Sequence, residues 1–278
     1  MTSTAAQPSV SVAPALPTVR FGLAELDDPA ALARTSDLAA QAFRDNGVLL
    51  IENAFSTAFI ETLHAAYTDE YQAYFLDLDY PDALTVGDKR TMITVAFAPP
   101  FNDPDLYASP LVLPIIRRLL GERCILGSFG SVTALPGSDL QHMHADHPRL
   151  FDDDPVDAAM PPFAITMIVP LVDLNETNGT TRVYPGSHQA PIPTAKTMAH
   201  CDPVTSRGAC LLMDYRLFHG GTPNRSTAVR PILYNVYYRP WFRDFVNFGK
   251  QPPLEIDAET YAQVPEVYRS LFDGTPRG

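Results

Sequence analysis

The sequence predicts an α+β protein with a jelly-roll core and helices flanking it at both ends. Three observations carry that prediction. Amphipathic helical patterns are confined to the chain before about residue 122 and to a last stretch at about 257–273. Between them, from Cys124 onward, short β-rich runs are separated by Gly, Pro and Asn, as in sandwiches and barrels. No internal repeat divides the chain. Residues 19–278 are therefore expected to form one domain, with a helical part at about 19–122, the jelly-roll core at about 123–246 and a closing C-terminal helix.

The elements follow from local signals, taken in order. Residues 1–18 are rich in Ala, Pro, Ser and Thr and hold no Lys or Arg. They lack the basic and apolar segments of a signal peptide, so a disordered tail is expected. Asp28-Pro29 predicts a helix start and Gly47 its stop. Within it Leu32, Leu38, Ala39 and Phe43 recur at helical spacing. Val48-Leu49-Leu50-Ile51 reads as a short buried strand. Ser56 caps a second helix whose apolar face holds Phe59, Leu63, Ala66, Tyr67 and Tyr74, with His64 a surface or packing residue. Residues 91–97 are β-branched and predict a strand. Ser109-Pro110 opens a third helix ending at Gly121, with Pro114 delaying or kinking its start. The core strands are expected at 125–135, 163–171, 181–184, 209–215 and 232–238. The acidic, Pro-rich stretch 151–162 is a predicted loop. Asp257 caps the final helix, which carries Tyr261, Val264, Val267, Tyr268 and Leu271.

Composition narrows the function. The chain of 278 residues is 46% apolar and 19% charged, ordinary for a globular protein with a sizeable core. Its net charge of −12 disfavours nucleic acid and anionic membranes as partners. No apolar run is long enough to span a bilayer. Cys124, Cys201 and Cys210 form neither a disulfide framework nor a C-x-x-C knuckle, and a reducing, cytoplasmic setting is expected. A small-molecule substrate is expected, for a monomer or a homodimer.

The chemistry concentrates in Gln141-His142-Met143-His144-Ala145-Asp146-His147. Imidazole is the commonest protein metal ligand, and a carboxylate beside imidazoles suits a borderline divalent metal. Two readings of the spacing compete. His142-x-His144-x-Asp146-His147 spells the H-x-H-x-D-H string of the metallo-β-lactamase fold, a zinc hydrolase site. Alternatively, His144-x-Asp146 is the front half of a 2-His-1-carboxylate iron site that takes its second histidine from far downstream. The downstream sequence favours the second reading. A strand-like run leads to His219 at a Gly turn, and Arg230 follows eleven residues later. A jelly roll can bring strands near residues 144 and 219 together. The expected result is a facial His144, Asp146, His219 triad with open positions, and Arg230 aimed into the same barrel mouth to hold a carboxylate.

Gln141-x-x-His144-x-Asp146, the run from Asn178 through Thr181-Arg182-Val183-Tyr184-Pro185-Gly186-Ser187 to His188, then His219 and Arg230, resemble the phytanoyl-CoA dioxygenase family. These are Fe(II)/2-oxoglutarate oxygenases on a double-stranded β-helix, a cupin-like jelly roll. Arg239-Pro240-Trp241-Phe242-Arg243-Asp244 is similar to a C-terminal signature of bacterial members. The resemblance implies Fe(II) on His144, Asp146 and His219, and 2-oxoglutarate with its distal carboxylate on Arg230. It implies dioxygen as oxidant, and hydroxylation of an unactivated C–H bond with release of succinate and carbon dioxide. Gln141 matches a position that often lines the cosubstrate or substrate pocket. An aspartate at 146, where halogenase relatives have a small residue, points to oxygenation. One departure stands out: many members carry Ser or Thr two residues after the distal histidine, and this chain has Gly221. Thr222 or Thr166 is the expected substitute for holding the carboxylate.

The neighbours have plainer expectations. His142 is expected to face away from the ligands or to sit behind them. His147 stands between a pocket role and a loop role. His188 and Asn178-Gly179 read as turn residues. Lys89 and Arg90 either neutralise an anionic ligand at the mouth or are solvated. Besides the zinc hydrolase, a non-catalytic jelly-roll binding protein remains an alternative, opposed by the intact triad and Arg230.

Overall fold

Asp28 and Gly47 frame the longest helix, Pro29–Asn46, as their chemistry dictates. The Asp28 carboxylate accepts from Ala30 N, and Gly47 takes the left-handed conformation that closes the last turn. Ser36, Ala39, Ala40 and Phe43 are buried, a spacing that forms one stripe, whereas Leu38 lies off that stripe and is 73% exposed. The second helix, Thr57–Tyr71, starts at the expected Ser56 cap and buries Ile60, Leu63, Tyr67 and Tyr71. Tyr74 falls in a separate short turn of helix, Ala73–Leu76. The third helix begins only at Leu113, with Pro114 in its first turn, and ends at Leu120. The closing element is split: helix Ala258–Gln263 gives way to a 3-10 turn, Glu266–Phe272, across Pro265, which has no N–H with which to continue the ladder.

The computed structural model describes residues 15–76, 83–151, 155–247 and 252–277. Most of the tail expected at 1–18 therefore lies outside the described residues, but its last residue, Thr18, already pairs with Leu50. Ten strands are described: β1 Thr18–Val19, β2 Val48–Ile51, β3 Leu84–Thr85, β4 Arg90–Thr94, β5 Ile125–Ala134, β6 Ala164–Pro170, β7 Thr181–Val183, β8 Cys210–Asp214, β9 His219–Gly221 and β10 Arg230–Tyr238. Eight form one sheet in the order β1-β2-β8-β6-β10-β5-β4-β3, antiparallel except for the β1–β2 pair. Facing it is a smaller sheet, β7–β9, extended by single bridges at His144↔His219, Ser138↔Asn224 and Val183↔Cys201. Two antiparallel sheets facing each other are the expected jelly roll.

Side-chain alternation divides the large sheet into two faces. On β6, Ile165, Met167 and Val169 join the main core under the helices, while Thr166 and Ile168 face the barrel interior. On β10, Leu233 and Tyr237 point to the helices, and Ile232, Tyr234, Val236 and Tyr238 point inward. Both faces are buried, which is why these strands read as continuous apolar runs. The predicted loop at 151–162 contains one turn of helix, Pro155–Ala159, pinned by buried Asp157. No helix among the described residues is long and apolar enough to cross a membrane.

Candidate metal centre and the cavity it faces

The small sheet brings the ligands together. His144 and His219 exchange backbone hydrogen bonds, N to O, at 2.9 and 2.8 Å, so their side chains leave the same face side by side. Their ring centroids are 4.5 Å apart. Asp146, two residues beyond His144 and thus on the same face, presents Oδ1 at 3.9 Å from His144 Nε2 and 3.5 Å from His219 Nε2. The ligand atoms of His144, Asp146 and His219 lie within 4.8 Å of one another, close enough to share one ion.

Both imidazoles are set in the same tautomer. His144 Nδ1 lies 2.9 Å from the His142 carbonyl, and His219 Nδ1 lies 2.9 Å from the Leu217 carbonyl. A carbonyl can only accept, so each Nδ1 carries the proton and each Nε2 lone pair is free to ligate. Burial, with the neighbouring His219, lowers the His144 pKa to about 4 against the opposing pull of Asp146. The imidazole is therefore neutral and ligand-ready across the physiological range. Two imidazole nitrogens and one carboxylate oxygen on one face suit a borderline divalent ion such as Fe(II).

The face opens onto a cavity of about 510 Å³ inside the barrel, within the range of small-molecule sites. Its walls include Met92, Val132, Ile168, Ile232, Val236 and Val246. Two guanidiniums also line it. Arg230 is buried, and its Nη1 donates to the carbonyls of Asn178, Thr180 and Thr222 at 3.1, 3.4 and 3.1 Å. Arg90 is wholly buried and donates to the carbonyls of Asp139 and Thr222, while its Nε has no partner. Neither has a carboxylate partner among the described residues. Burial, then the charge of Arg90, pulls the Arg230 pKa down to about 9, which marks a cation short of counter-charge.

Glycine makes room for both. A Cβ on Gly221 would sit 3.0 Å from Arg90 Cζ, and a Cβ on Gly179, at φ +80°, would collide with Arg230 Nη1. The Ser or Thr expected at 221 is thus displaced by the Arg90 guanidinium. Arg90 is not a solvated residue, whereas Lys89 is exposed. Arg90 shares a face of β4 with Met92, which also lines the cavity, and that alternation is a sequence signal for it. Both expected substitutes, Thr222 and Thr166, have their hydroxyls engaged within the chain. Thr222 Oγ1 exchanges hydrogen bonds with the backbone of Thr180. Thr166 lines the cavity but donates its hydroxyl to Asp146 Oδ2 at 2.9 Å.

The other expected residues are also placed. Gln141 lines the cavity, and its amide is a backbone clamp: Nε2 donates to Val86 O at 2.8 Å and Oε1 accepts from Gly221 N at 2.9 Å. His142 does not face away; it is exposed, lines the cavity, and its ring centroid is 5.0 Å from that of His144. His147 is buried in an aromatic cluster, stacked on Tyr215 against Phe163 and Phe242, with Nδ1 bonded to the Pro148 carbonyl. It does not converge with the other ligands, so the four-ligand hydrolase set is not assembled. His188 is a buried tie, its Nε2 at 3.1 Å from the Arg44 carbonyl.

The profile of the phytanoyl-CoA dioxygenase (PhyH) family matches residues 43–232. The chain belongs to that family. Relatives of this family member include dioxygenase af480 of Aspergillus fumigatus, 24% identical over 59% of this chain and 53% of af480. The chain thus spans about half the length of that relative. The Fe(II)/2-oxoglutarate-dependent dioxygenase nvfF of Aspergillus novofumigatus is 28% identical over 71% of each chain. Among solved structures, HygX of Streptomyces hygroscopicus, determined with nickel and 2-oxoglutarate bound, aligns with a TM-score of 0.55 at 18% identity. That alignment covers 74% of this chain and 88% of HygX, and establishes the shared fold.

Proposed function

We propose that this protein is a non-haem Fe(II)- and 2-oxoglutarate-dependent dioxygenase that oxidises a C–H bond of a small molecule. One observation carries the reading: a His144, Asp146, His219 triad opens onto a cavity also lined by two buried guanidiniums, Arg90 and Arg230, that form no ion pair with a carboxylate among the described residues. A dicarboxylate with a 2-oxo acid at one end would find a partner for each of its ends in that cavity. When bound, the iron and this cosubstrate supply oxidative decarboxylation with dioxygen, giving succinate, carbon dioxide and the oxidising power for the substrate.

The chain's own residues supply orientation, charge and a dry wall. The carbonyls of His142 and Leu217 aim the two imidazoles. Arg230 and Arg90 would hold the distal carboxylate, which would supply opposite charge to both. The Gln141 clamp holds β9 against Val86 and so sets the width of the cavity there. Apolar side chains of β4, β5, β6 and β10 limit water around the reacting centre. The unpaired cysteines fit the reducing, cytoplasmic setting.

Anaerobic addition of Fe(II) and 2-oxoglutarate to the apoprotein tests the reading. A weak visible charge-transfer band is expected with the wild type and none with the Asp146→Ala, His219→Ala double variant. No wild-type band, or a band that survives in the double variant, sinks the proposal.

A further inference from the structure

Two hydrogen bonds hold Asp146, and neither involves the histidines. Its Oδ1 is the oxygen turned towards His144 and His219. Its Oδ2 accepts from Thr166 Oγ1 at 2.9 Å, across the barrel on β6. Its backbone carbonyl accepts from Asn247 Nδ2 at 3.1 Å, and Asn247 is itself tied to buried Asp244 at 2.9 Å. Thr166 is 6% exposed, and alternation on β6 fixes its direction, because Ile165 and Met167 are committed to the core beneath the helices.

We infer that Thr166 is a positioning residue that keeps Asp146 a one-oxygen ligand. A carboxylate beside a metal can chelate through both oxygens or bind through one. A hydroxyl donating to Oδ2 favours the second mode, because chelation would turn that lone pair away from its donor and leave a buried hydroxyl unmatched. The mode matters to coordination. With one oxygen and two imidazoles, an octahedral ion keeps three positions open. A chelating cosubstrate takes two of them and one remains. With both Asp146 oxygens bound, that last position is lost. Thr166 thus acts through Asp146 and not on the cosubstrate carboxylate. The inference rests on the metal reading of the triad.

Co(II) titration of the apoprotein, followed by its visible d–d absorption, tests it without turnover. Thr166→Val is nearly isosteric and removes the hydroxyl; Thr166→Ala is a second hydroxyl-free variant, and Thr166→Ser restores the donor. Each is compared with wild type at the same apo unfolding midpoint, which the hydroxyl-free changes leave close to the wild-type value if the role is positional. The expected result is that Thr166→Val and Thr166→Ala bind Co(II) roughly 10- to 100-fold more weakly with a changed absorption envelope, while Thr166→Ser matches wild type. Wild-type affinity and envelope in both hydroxyl-free variants overturn the inference, as does a Thr166→Ser spectrum that resembles Thr166→Val. A wild type that binds no Co(II) overturns the metal reading and this inference with it, whereas loss confined to the variants leaves the metal reading standing.

Discussion

Arg216 and Arg230 are both buried, at 4% and 5% exposure, yet among the described residues only the first has a carboxylate partner. Arg216 forms a two-point pair with Asp214, Nε and Nη2 each 2.9 Å from a carboxylate oxygen. Its Nη1 donates to the Asp157 carbonyl, and its guanidinium lies over the Phe163 ring. Burial opposes that charge, but Asp214 outweighs it and holds the pKa above the ordinary value. At Arg230 burial wins, because the nearest charge is another guanidinium, Arg90. A buried cation satisfied within the chain ties elements together: Arg216 joins β8 to the 155–160 segment. A buried cation left short of counter-charge at a cavity wall is a candidate binding site.

Breaking each arginine's environment should give opposite results. Asp214→Ala strands a buried charge and is expected to destabilise the fold by about 3–5 kcal/mol in chemical denaturation. Adding Arg216→Met should recover part of that loss. Arg230→Met removes a charge that no carboxylate among the described residues pairs, so unfolding stability should hold or rise. Its loss falls on binding: 2-oxoglutarate affinity, by calorimetry on Mn(II)-loaded protein, should drop by about 2–5 kcal/mol, at least roughly 30-fold. A fold that weakens more with Arg230→Met than with Asp214→Ala would reverse the comparison.

The metal end adds a pH dependence. Folding lowers the His144 pKa from its ordinary value to about 4. The unfolded chain therefore takes up a proton between about pH 6.5 and pH 4 that the folded chain refuses. Stability from this group is present above pH 6.5 and is lost as pH falls towards 4. Apoprotein unfolding should weaken by on the order of 1–3 kcal/mol across that window, and His144→Asn should flatten the profile. The smallest effect is expected at Gly221→Ala, whose methyl would press on Arg90. It should weaken 2-oxoglutarate binding by about 1 kcal/mol with little change in unfolding stability.

Local signals reached far into this molecule. Asp28, Ser56 and Asp257 cap the helices their positions announce. The five expected core strands lie within two residues of their predicted bounds. Strands β1, β3 and β9 were hidden because two or three residues, or a Gly pair, carry no periodicity. His142 and His147 looked like plausible ligands by spacing alone. Neither joins the triad, and His147 stacks on Tyr215 in an aromatic cluster instead.

What the sequence determined by itself is the list of reactive groups and the strands that carry them: His144-x-Asp146, His219 and Arg230, on a chain patterned for a jelly roll. What only the tertiary structure decided is which groups meet. Gln141 is a clamp between strands, Thr166 holds the second oxygen of Asp146, and Arg90 fills the volume beside Gly221. The physical reason is separation along the chain. Arg90 meets Gly221 and Thr166 meets Asp146 through strand register and facing sheets, and no local propensity records a contact between residues so far apart.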